Sequence, residues 1–237
     1  MKYPIRLDKF LAHHTGLSRS QLRKALREQP VQVNGDVVKD QGMHIHREDK
    51  VVWMGDEFGE AGFSYIMMNK PAGYVSTDDA SEHPSAIYLI DEPFVERLHC
   101  AGRLDLDSTG MLLITDDGSW SHRITSPKHQ KAKVYEVTLA DPVTEDHLDQ
   151  LRKGILLRNE ETETLPCEAT LLDEQHVRLT IYEGRYHQVK RMFAALGNKV
   201  EALHRAQIGD IILDEDLEPG EWRYLTDEEV AVFSGNT

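Results

Sequence analysis

The sequence predicts an α+β protein with two domains, a small N-terminal one and a larger one built on a mixed, largely antiparallel sheet. Residues 1–54 combine a capped basic helix with a hairpin signal, which is typical of a small mixed module. Residues 55–62 are rich in glycine and acidic side chains, which favours a linker. Residues 63–213 carry mostly strand patterns without regular βαβ alternation. We therefore predict domains at residues 1–58 and 63–235.

Local patterns predict the elements of the N-terminal domain. Ser18 and Gln21 have the spacing of a capping box, and Pro30 ends the helix that begins there. The dipeptide Asn34-Gly35 within alternating apolar residues is a strong hairpin signal. The expected elements are a helix start at residues 5–10, a helix at 18–29, a hairpin at 31–38 and a strand at 51–54.

The elements of the larger domain follow from alternation and from helix boundaries. Thr144 and Gly154 have the positions of a helix start and stop, and Gly197 ends a later helix. Helices are expected at 85–90, 119–124, 144–152, 185–196 and 226–233. Strands are expected at 65–71, 111–115, 131–139, 169–172, 176–182, 200–203 and 208–213.

Composition limits the class of protein. The chain has 237 residues, of which 40% are hydrophobic, so a sizeable core is expected in one large or two small domains. No apolar run approaches the roughly 18 residues of a membrane span, and the first residues lack the apolar stretch of a signal peptide. The two cysteines lack CxxC spacing, which argues against a zinc site or a disulfide framework. We therefore expect a cytoplasmic protein without a membrane partner.

Charge is distributed unevenly along the chain. The formal net charge of −14, taken as a whole, argues against nucleic acid as a partner. Residues 1–58, however, hold ten Lys and Arg against eight Asp and Glu, whereas the rest of the chain holds 17 against 33. Within residues 1–30 the numbers are seven and two. Such asymmetry is typical of a chain with a nucleic-acid-binding module at one end.

The predicted helix at 18–29 is basic on its outer faces. Arg19, Arg23, Lys24 and Arg27 all lie off the apolar face. A solvated outer face and an RNA-binding surface both fit this pattern.

Three motifs resolve that choice by resemblance. Residues 6–11 (RLDKFL), 17–20 (LSRS) and 31–35 (VQVNG) resemble, in this order, the αL RNA-binding module. That module is shared by a small-subunit ribosomal protein, tyrosyl-tRNA synthetases and several RNA-modifying enzymes. Contacts of this kind supply affinity and register rather than sequence choice. The resemblance implies contacts to the RNA backbone from Arg6, Arg19, Arg23 and Lys24.

Residues 101–113 (AGRLDLDSTGMLL) place Arg103, Asp105 and Asp107 at two-residue spacing before an apolar strand. In extended chain such side chains share one face, which suggests a site. The spacing lacks the register of a calcium loop, and Asp107-Ser-Thr-Gly is one residue longer than the acid-protease motif. A pair of catalytic carboxylates and a purely structural turn both remain open from the pattern alone.

Two further segments combine cations with apolar positions. In residues 131–139, alternation puts Lys131, Lys133, Tyr135 and Val137 on one face, which is uncommon for a pure core. In residues 184–193 (GRYHQVKRMF) an apolar stripe is formed by Val189, Met192 and Phe193. Lys190 lies roughly 100° from Val189, at the border of the stripe, and Arg191 roughly 200° away. We expect Lys190 to reach a pocket floor or to snorkel, and Arg191 to face solvent or phosphate.

Five motifs in a fixed order extend the resemblance to essentially the whole chain. The sequence resembles the RsuA family of the pseudouridine synthases, in which the G-R-L-D and G-R-x-H-Q motifs are specific. The motifs are NKPAG at 69–73, residues 101–113, KVY at 133–135, EGRYHQVKRM at 183–192 and LHRAQIG at 203–209.

The resemblance implies that a uridine base is detached from its sugar and rejoined through carbon 5. By position it makes Asp105 the nucleophile and Lys190 its paired cation, where many relatives carry Arg. It implies that Tyr135 stacks on the base and helps to move the proton from carbon 5, and that Leu203 packs against the base. Asp107 then remains as a turn residue. Cations expected to hold the flanking RNA backbone are Arg103, Lys133, Arg185 and Arg191.

The implied chemistry also sets expectations about partners. An isomerisation involves no redox change or group transfer, so we expect no cofactor and no metal. The expected substrate is 16S ribosomal RNA or a small-subunit assembly intermediate, and the expected state is a monomer. Two alternatives remain at this point: a large-subunit synthase of the same family, and a non-catalytic RNA-binding ribosome-assembly factor.

Overall fold

The computed structural model describes residues 3–15, 17–46, 48–59, 62–77, 82–92 and 94–234, with the backbone but not the side chain of Arg19. The chain divides into two compact units. The first consists of Met1–Ser64 and Asp91–Leu98, and the second of Tyr65–Ile90 and His99–Thr237. Within the described ranges, no helix is long and apolar enough to cross a bilayer.

The first unit packs two helices against short antiparallel strands. Ser18 accepts a hydrogen bond from the Gln21 backbone N–H, and the Gln21 side chain accepts one from the Ser18 N–H, which confirms the predicted capping box. Asn34 and Gly35 both have positive φ, as the predicted two-residue hairpin turn requires. The elements are β1 (Ile5–Arg6), α1 (Leu7–Thr15), α2 (Arg19–Glu28), β2 (Val31–Val33), β3 (Asp36–Val38), β4 (His44–Ile45), β5 (Val51–Trp53) and β6 (Asp56–Phe58).

The sheet of the first unit corrects two of the predictions. Its strand order is β3-β2-β5-β6, and β1 pairs separately with β4. The predicted linker at 55–62 is wrong at Asp56–Phe58, because these residues form β6 and pair with β5 in spite of their acidic composition. Residues 60 and 61 of that linker lie outside the described residues. The helix expected to start at residue 5 begins only at Leu7, after β1.

The second unit is built around one mixed sheet. Its order is β11-β12-β10-β13-β9-β7-β15, while β14 pairs with β13 and β8 with β9. Among the named strands of the described residues, β13 and β9 are the one parallel pair, which confirms the mixed, largely antiparallel α+β class. The strands are β7 (Tyr65–Lys70), β8 (His99–Cys100), β9 (Thr109–Thr115), β10 (Lys133–Leu139), β11 (Glu168–Leu171), β12 (His176–Ile181), β13 (Val200–Ile208), β14 (Ile211–Ile212) and β15 (Trp222–Tyr224). The helices are α3 (Gly118–Thr125), α4 (Glu145–Lys153), α5 (Gln188–Ala195) and α6 (Asp227–Val232).

Most predicted elements of this unit are present, but two boundaries are wrong. α4 has the predicted Thr144 cap and Gly154 stop. The strands expected at 200–203 and 208–213 are one continuous strand, β13, followed by the short β14. The helix expected from residue 185 starts at Gln188, because His187 has a φ of 47° and cannot belong to the helix.

The parallel contact between β9 and β13 fixes the position of the polar loop at 101–108. Gly110 of β9 pairs with Arg205 of β13 and has a φ of +99°. A Cβ atom at Gly110 would lie 2.4 Å from the carbonyl oxygen of Arg205, so only glycine permits this approach. The second glycine of the 101–113 motif is therefore explained by strand packing, and it places the loop beside β13.

Candidate active site

A cavity of about 580 Å³ opens in the second unit between the loop at 101–108 and the ends of β10, β12 and β13. Its wall includes Asp105 from the loop, Tyr135 from β10 and Leu203 from β13. The segment 181–189, which connects β12 to α5, lines another side. Residues that are far apart in sequence thus meet at one place.

Asp105 is the acid of the loop that faces this cavity. Its Oδ2 atom lies 3.3 Å from Nζ of Lys190, and its Oδ1 atom lies 3.4 Å from Nε2 of His187. The side chain of Asp105 is 27% exposed, so the carboxylate is reachable from the cavity yet largely shielded. A carboxylate that is shielded from bulk solvent but accessible from a cavity is placed to act as a nucleophile.

Lys190 contacts both acids of the motif. Its Nζ atom lies 2.5 Å from Oδ1 of Asp107, closer than it lies to Asp105. Burial disfavours the charged form of Lys190, but the hydrogen bond to Asp107 and the charge of Asp105 outweigh it and raise the pKa of Lys190. The same hydrogen bond lowers the pKa of Asp107. Lys190 is therefore held between the two acids, and it is not among the residues that line the cavity.

Lys70 binds the backbone of the loop at 101–108. This lysine at the end of β7 is fully buried, and its Nζ atom donates to the carbonyl oxygens of Pro71, Asp105 and Ser108 at 2.8 to 3.1 Å. Burial is the main cause that lowers the pKa of Lys70 to about 8. A buried ammonium without a carboxylate contact is costly, so its three carbonyl partners give it a structural purpose. The NKPAG motif thus fixes the backbone at Asp105.

Further hydrogen bonds hold the loop from two directions. The Ser76 hydroxyl bonds to both the N–H and the carbonyl oxygen of Leu104, each at 3.1 Å. The Gly73 N–H donates to the Leu106 carbonyl. From β13, buried Arg205 donates to the Arg103 and Met111 carbonyls at 3.1 and 2.9 Å. The backbone on both sides of Asp105 is therefore fixed by groups outside the loop.

The wall opposite the loop is apolar and aromatic. Tyr135 and Leu203 are each 7% exposed and belong to the same buried cluster as Leu104. Lys133 lies on the same face of β10 as Tyr135 and donates to the Lys131 carbonyl. Burial, followed by the charge of Arg205, lowers the pKa of Lys133 to about 8. Of the predicted face, Lys133 and Tyr135 of β10 line the cavity together with Lys131, which precedes the strand, whereas Val137 lies in the core. The ring of Tyr135 suits a flat base.

The remaining predicted cations of this domain differ in whether their guanidinium groups are already paired within the protein. Arg103 is exposed at the cavity, and its guanidinium makes no hydrogen bond or ion pair within the part of the chain that the structure describes. Arg185 lines the cavity, but it donates to the carbonyls of Thr162 and Glu163 and pairs with Glu183.

Arg191 is not where the helical wheel placed it. Its side chain is 24% exposed, pairs with Glu160 at 2.9 Å and donates to the carbonyls of Arg158 and Tyr186. The prediction that Arg191 faces open solvent is therefore wrong. The loop at 158–160 covers that side of α5, which a single-helix projection does not include.

Three residues of the site are not among those that the sequence predicts. Lys70, Arg205 and His187 all occur inside the quoted motifs, but the patterns assign them no role. Arg205 lies in the gap between two expected strands, and alternation with Leu203 would have placed it on the cavity side of a continuous β13. Nothing local marks Lys70 as buried, because its carbonyl partners come from a loop far along the chain.

Comparisons with known proteins agree with this geometry. Residues 64–195 match the profile described as RNA pseudouridylate synthase, and residues 5–51 match the S4 domain. The chain belongs to the RNA pseudouridylate synthase family. Its enzymatic class is therefore that of an isomerase which forms pseudouridine in RNA.

Relatives match over nearly their full lengths. Ribosomal small subunit pseudouridine synthase A of Haemophilus influenzae is 53% identical over 95% of this chain and 98% of its own. The protein of the same name from Escherichia coli is 50% identical over 96% and 99%. A crystal structure described as a pseudouridylate synthase is 51% identical, covers 97% of this chain and 99% of its own, and superposes with a TM-score of 0.71.

The S4 domain of this synthase presents basic side chains at its surface, and one of them, Arg6, forms an ion pair with an acid of the same domain. Arg23 and Lys24 are exposed on α2 and make no ion pair among the described residues. Arg6 is exposed but forms a two-pronged ion pair with Asp8, at 2.9 and 3.0 Å. The side chain of Arg19 lies outside the described part of the structure. Arg23 and Lys24 are thus the cations that a phosphate would meet without displacing a carboxylate.

The structure offers no cluster suited to a metal within its described residues. No group of three or more His, Cys, Asp or Glu side chains there has the geometry to hold an ion. Lys190 occupies the space between Asp105 and Asp107 that a cation would need.

Proposed function

We propose that this synthase converts a specific uridine of 16S ribosomal RNA to pseudouridine. The observation that carries the proposal is the carboxylate of Asp105, which faces a cavity lined by Tyr135 and Leu203 and is paired with Lys190. The small-subunit target is supported by relatives named for small-subunit ribosomal RNA modification at 50% to 53% identity.

In the proposed reaction Asp105 is the nucleophile. The bond between uracil N1 and the sugar breaks, the base turns within the cavity, and a bond forms between C5 and the sugar. The proton on C5 is lost and N1 gains one, so atoms and electrons balance without a cofactor. Covalent catalysis by the carboxylate divides one difficult transfer into easier steps. The backbone anchors from Lys70, Ser76 and Arg205 hold the nucleophile in place.

The walls of the cavity retain the detached base. Tyr135 supplies a flat face for stacking, and its hydroxyl has no hydrogen-bond partner among the described residues, which leaves it available for proton transfer at C5. Leu203 packs on the base and excludes water, so the base neither diffuses away nor is replaced by hydroxide. Lys190 supplies a positive charge beside the carboxylate of Asp105.

RNA binding is divided between the two domains that we propose at residues 1–58 and 63–235. Backbone contacts are assigned to Arg6, Arg19, Arg23 and Lys24 in the first, with Asp8 displaced from Arg6 by phosphate. In the second, Arg103 meets the strand that enters the cavity, while Arg185 and Arg191 act mainly by shaping the segment beside it. The target uridine is flipped out of its stack to reach Asp105.

The working context is also part of the proposal. We place the enzyme in the cytoplasm as a monomer acting on a small-subunit assembly intermediate, since a uridine must be accessible before the subunit is complete. Phosphate contacts that confine binding to one basic face suit a protein whose net charge is −14.

Mapping pseudouridine in ribosomal RNA tests this function. RNA from a strain lacking the protein should lose pseudouridine at one small-subunit position, and the purified protein should restore it on small-subunit precursors. Loss at a large-subunit position instead would refute the small-subunit target. Unchanged maps, together with no activity on either RNA, would favour a non-catalytic assembly factor.

A further inference from the structure

Tyr186 is an exposed aromatic residue at the rim of the cavity. Its side chain lines the cavity but is 76% exposed, whereas Tyr135 deeper in the cavity is 7% exposed. The ring of Tyr186 stacks on that of His187, with 3.8 Å between centroids and 21° between planes. Because His187 covers one face, the exposure of Tyr186 must come from its opposite face and its edges.

The ring is exposed although the backbone that carries it is fixed. The Tyr186 carbonyl accepts a hydrogen bond from Arg191, which is itself tied to Glu160 and the Arg158 carbonyl. A tyrosine that is 76% exposed on a fixed backbone contributes little to the core, so its ring is accessible to another partner.

The stack leads directly to the nucleophile. Nε2 of His187, the ring beneath Tyr186, lies 3.4 Å from Asp105. The free face of Tyr186 is therefore two side chains away from the atom that attacks the flipped uridine. A base stacked on this face would be separated from Asp105 by the rings of Tyr186 and His187.

We propose that the free face of Tyr186 is a stacking platform for the nucleobase adjacent to the target uridine; this rests on the proposed function. Flipping one base out of a stack leaves its neighbour with an uncovered face, and aromatic side chains bind such faces without regard to base identity. Exposed Arg103, at the same cavity, supplies a cation for the intervening phosphate. Tyr186 thus fixes the strand while Asp105 and Tyr135 act on the flipped base.

Binding measurements on an inactive background test the platform. In protein carrying Asp105→Asn, dissociation constants are measured for a 16S ribosomal RNA transcript. Adding Tyr186→Ala should weaken binding about 5- to 150-fold, the range that stacking of one base supplies. Tyr186→Phe and Tyr186→Trp should bind nearly as the parent does, and RNA should quench the fluorescence of the new tryptophan. Tyr186→Leu should bind as poorly as Tyr186→Ala, because it keeps apolar bulk without a π face.

A matched control and the activity of the native protein separate the possible failures. Tyr88 is 53% exposed and lies outside the cavity, so Tyr88→Ala should leave binding unchanged. Equal binding by the Tyr186→Ala and Tyr88→Ala proteins would overturn the platform, as would full affinity in Tyr186→Leu. If the native protein forms no pseudouridine while Tyr186→Ala still weakens RNA binding, the proposed function fails and Tyr186 remains only a contact to RNA.

Discussion

Lys190 and Asp107 form an ion pair of 2.5 Å, shorter than the 3.3 Å between Lys190 and the proposed nucleophile Asp105. Asp107 is thus more than the turn residue that the sequence suggested. Its side chain is 74% exposed, but it holds the ammonium group within reach of Asp105. Both acids of the motif contact the ammonium group of Lys190. Asp105 is the proposed nucleophile, and Asp107 positions the ammonium group beside it.

The shared cation predicts an order of effects on turnover. Lys190→Ala should lower kcat about a hundredfold, because the charge beside Asp105 is lost. Asp107→Asn should lower kcat less than about tenfold, because Lys190 remains near Asp105. Arg191→Ala should affect stability more than kcat, since Arg191 contacts carbonyls and Glu160. Single-turnover rates on 16S RNA provide the comparison, and equal losses in Lys190→Ala and Arg191→Ala would contradict it.

Because the buried ammonium of Lys70 binds the backbone of the loop at 101–108, we expect the conformation of this loop to depend on that one side chain. Lys70→Met keeps the length of the side chain but leaves three carbonyl oxygens without their donor, which should cost about 2–4 kcal/mol in the free energy of unfolding. Turnover should fall as well, because Asp105 loses its backbone anchor. Urea denaturation measures the first effect, with exposed Lys199→Met as the control. Native stability and activity in Lys70→Met would show that the anchor is dispensable.

At Gly110 we expect that even a methyl side chain is not tolerated. Gly110→Ala should cost about 3 kcal/mol or more, because its Cβ meets the Arg205 carbonyl at 2.4 Å and its φ is +99°. Gly197 also has positive φ, but a Cβ atom added there would have no neighbour within 4 Å, so Gly197→Ala should cost only about 1 kcal/mol. Thermal or urea unfolding of the two variants isolates the steric effect. Similar losses in both would mean that backbone conformation alone explains Gly110.

The N-terminal unit should lose stability in mild acid through His13. Burial, followed by the charge of Arg97, lowers the pKa of His13 to about 4, while a histidine in the unfolded chain titrates near 6.5. Only the unfolded state takes up this proton between those values, so the stabilisation present above about pH 6.5 is lost as the pH falls toward 4.

His13→Gln isolates this contribution, because glutamine does not titrate but still offers a donor to the Gly62 carbonyl. Between about pH 7.5 and pH 4.5 the native protein should lose about 1–3 kcal/mol more than the variant. Denaturation curves followed by Trp53, which lies in the first unit, measure both. Parallel losses in the two proteins would exclude His13 as the source.

Local signals in the sequence are sufficient to predict helices and turns whose first and last residues are marked by capping or turn residues. The capping box of Ser18, the Asn34-Gly35 turn and the Thr144 to Gly154 helix are each determined within a few residues. The sequence pattern divides β13 because polar His204 and Arg205 interrupt its apolar residues. In the structure they are tolerated because His204 bonds to Thr109, and Arg205 donates to the carbonyls of Arg103 in the loop and Met111 in β9.

The sequence predicts which residues belong to the site but not which of them contact one another. Motif order brings Asp105, Tyr135 and Lys190 together in advance. In the structure Asp105 and Tyr135 line one cavity, and Lys190 pairs with Asp105. The pairing of Lys190 with Asp107 and the burial of Lys70 depend on how distant segments pack. No periodicity within one element reports such contacts.

Pseudouridine formation by Asp105→Asn is the most direct test of the central claim. Asparagine keeps the shape of the side chain but lacks the carboxylate, so the variant should fold and bind 16S RNA with nearly native affinity. Its rate of pseudouridine formation should fall about a thousandfold or more. A variant that binds RNA and forms pseudouridine at the native rate would show that Asp105 is not the nucleophile.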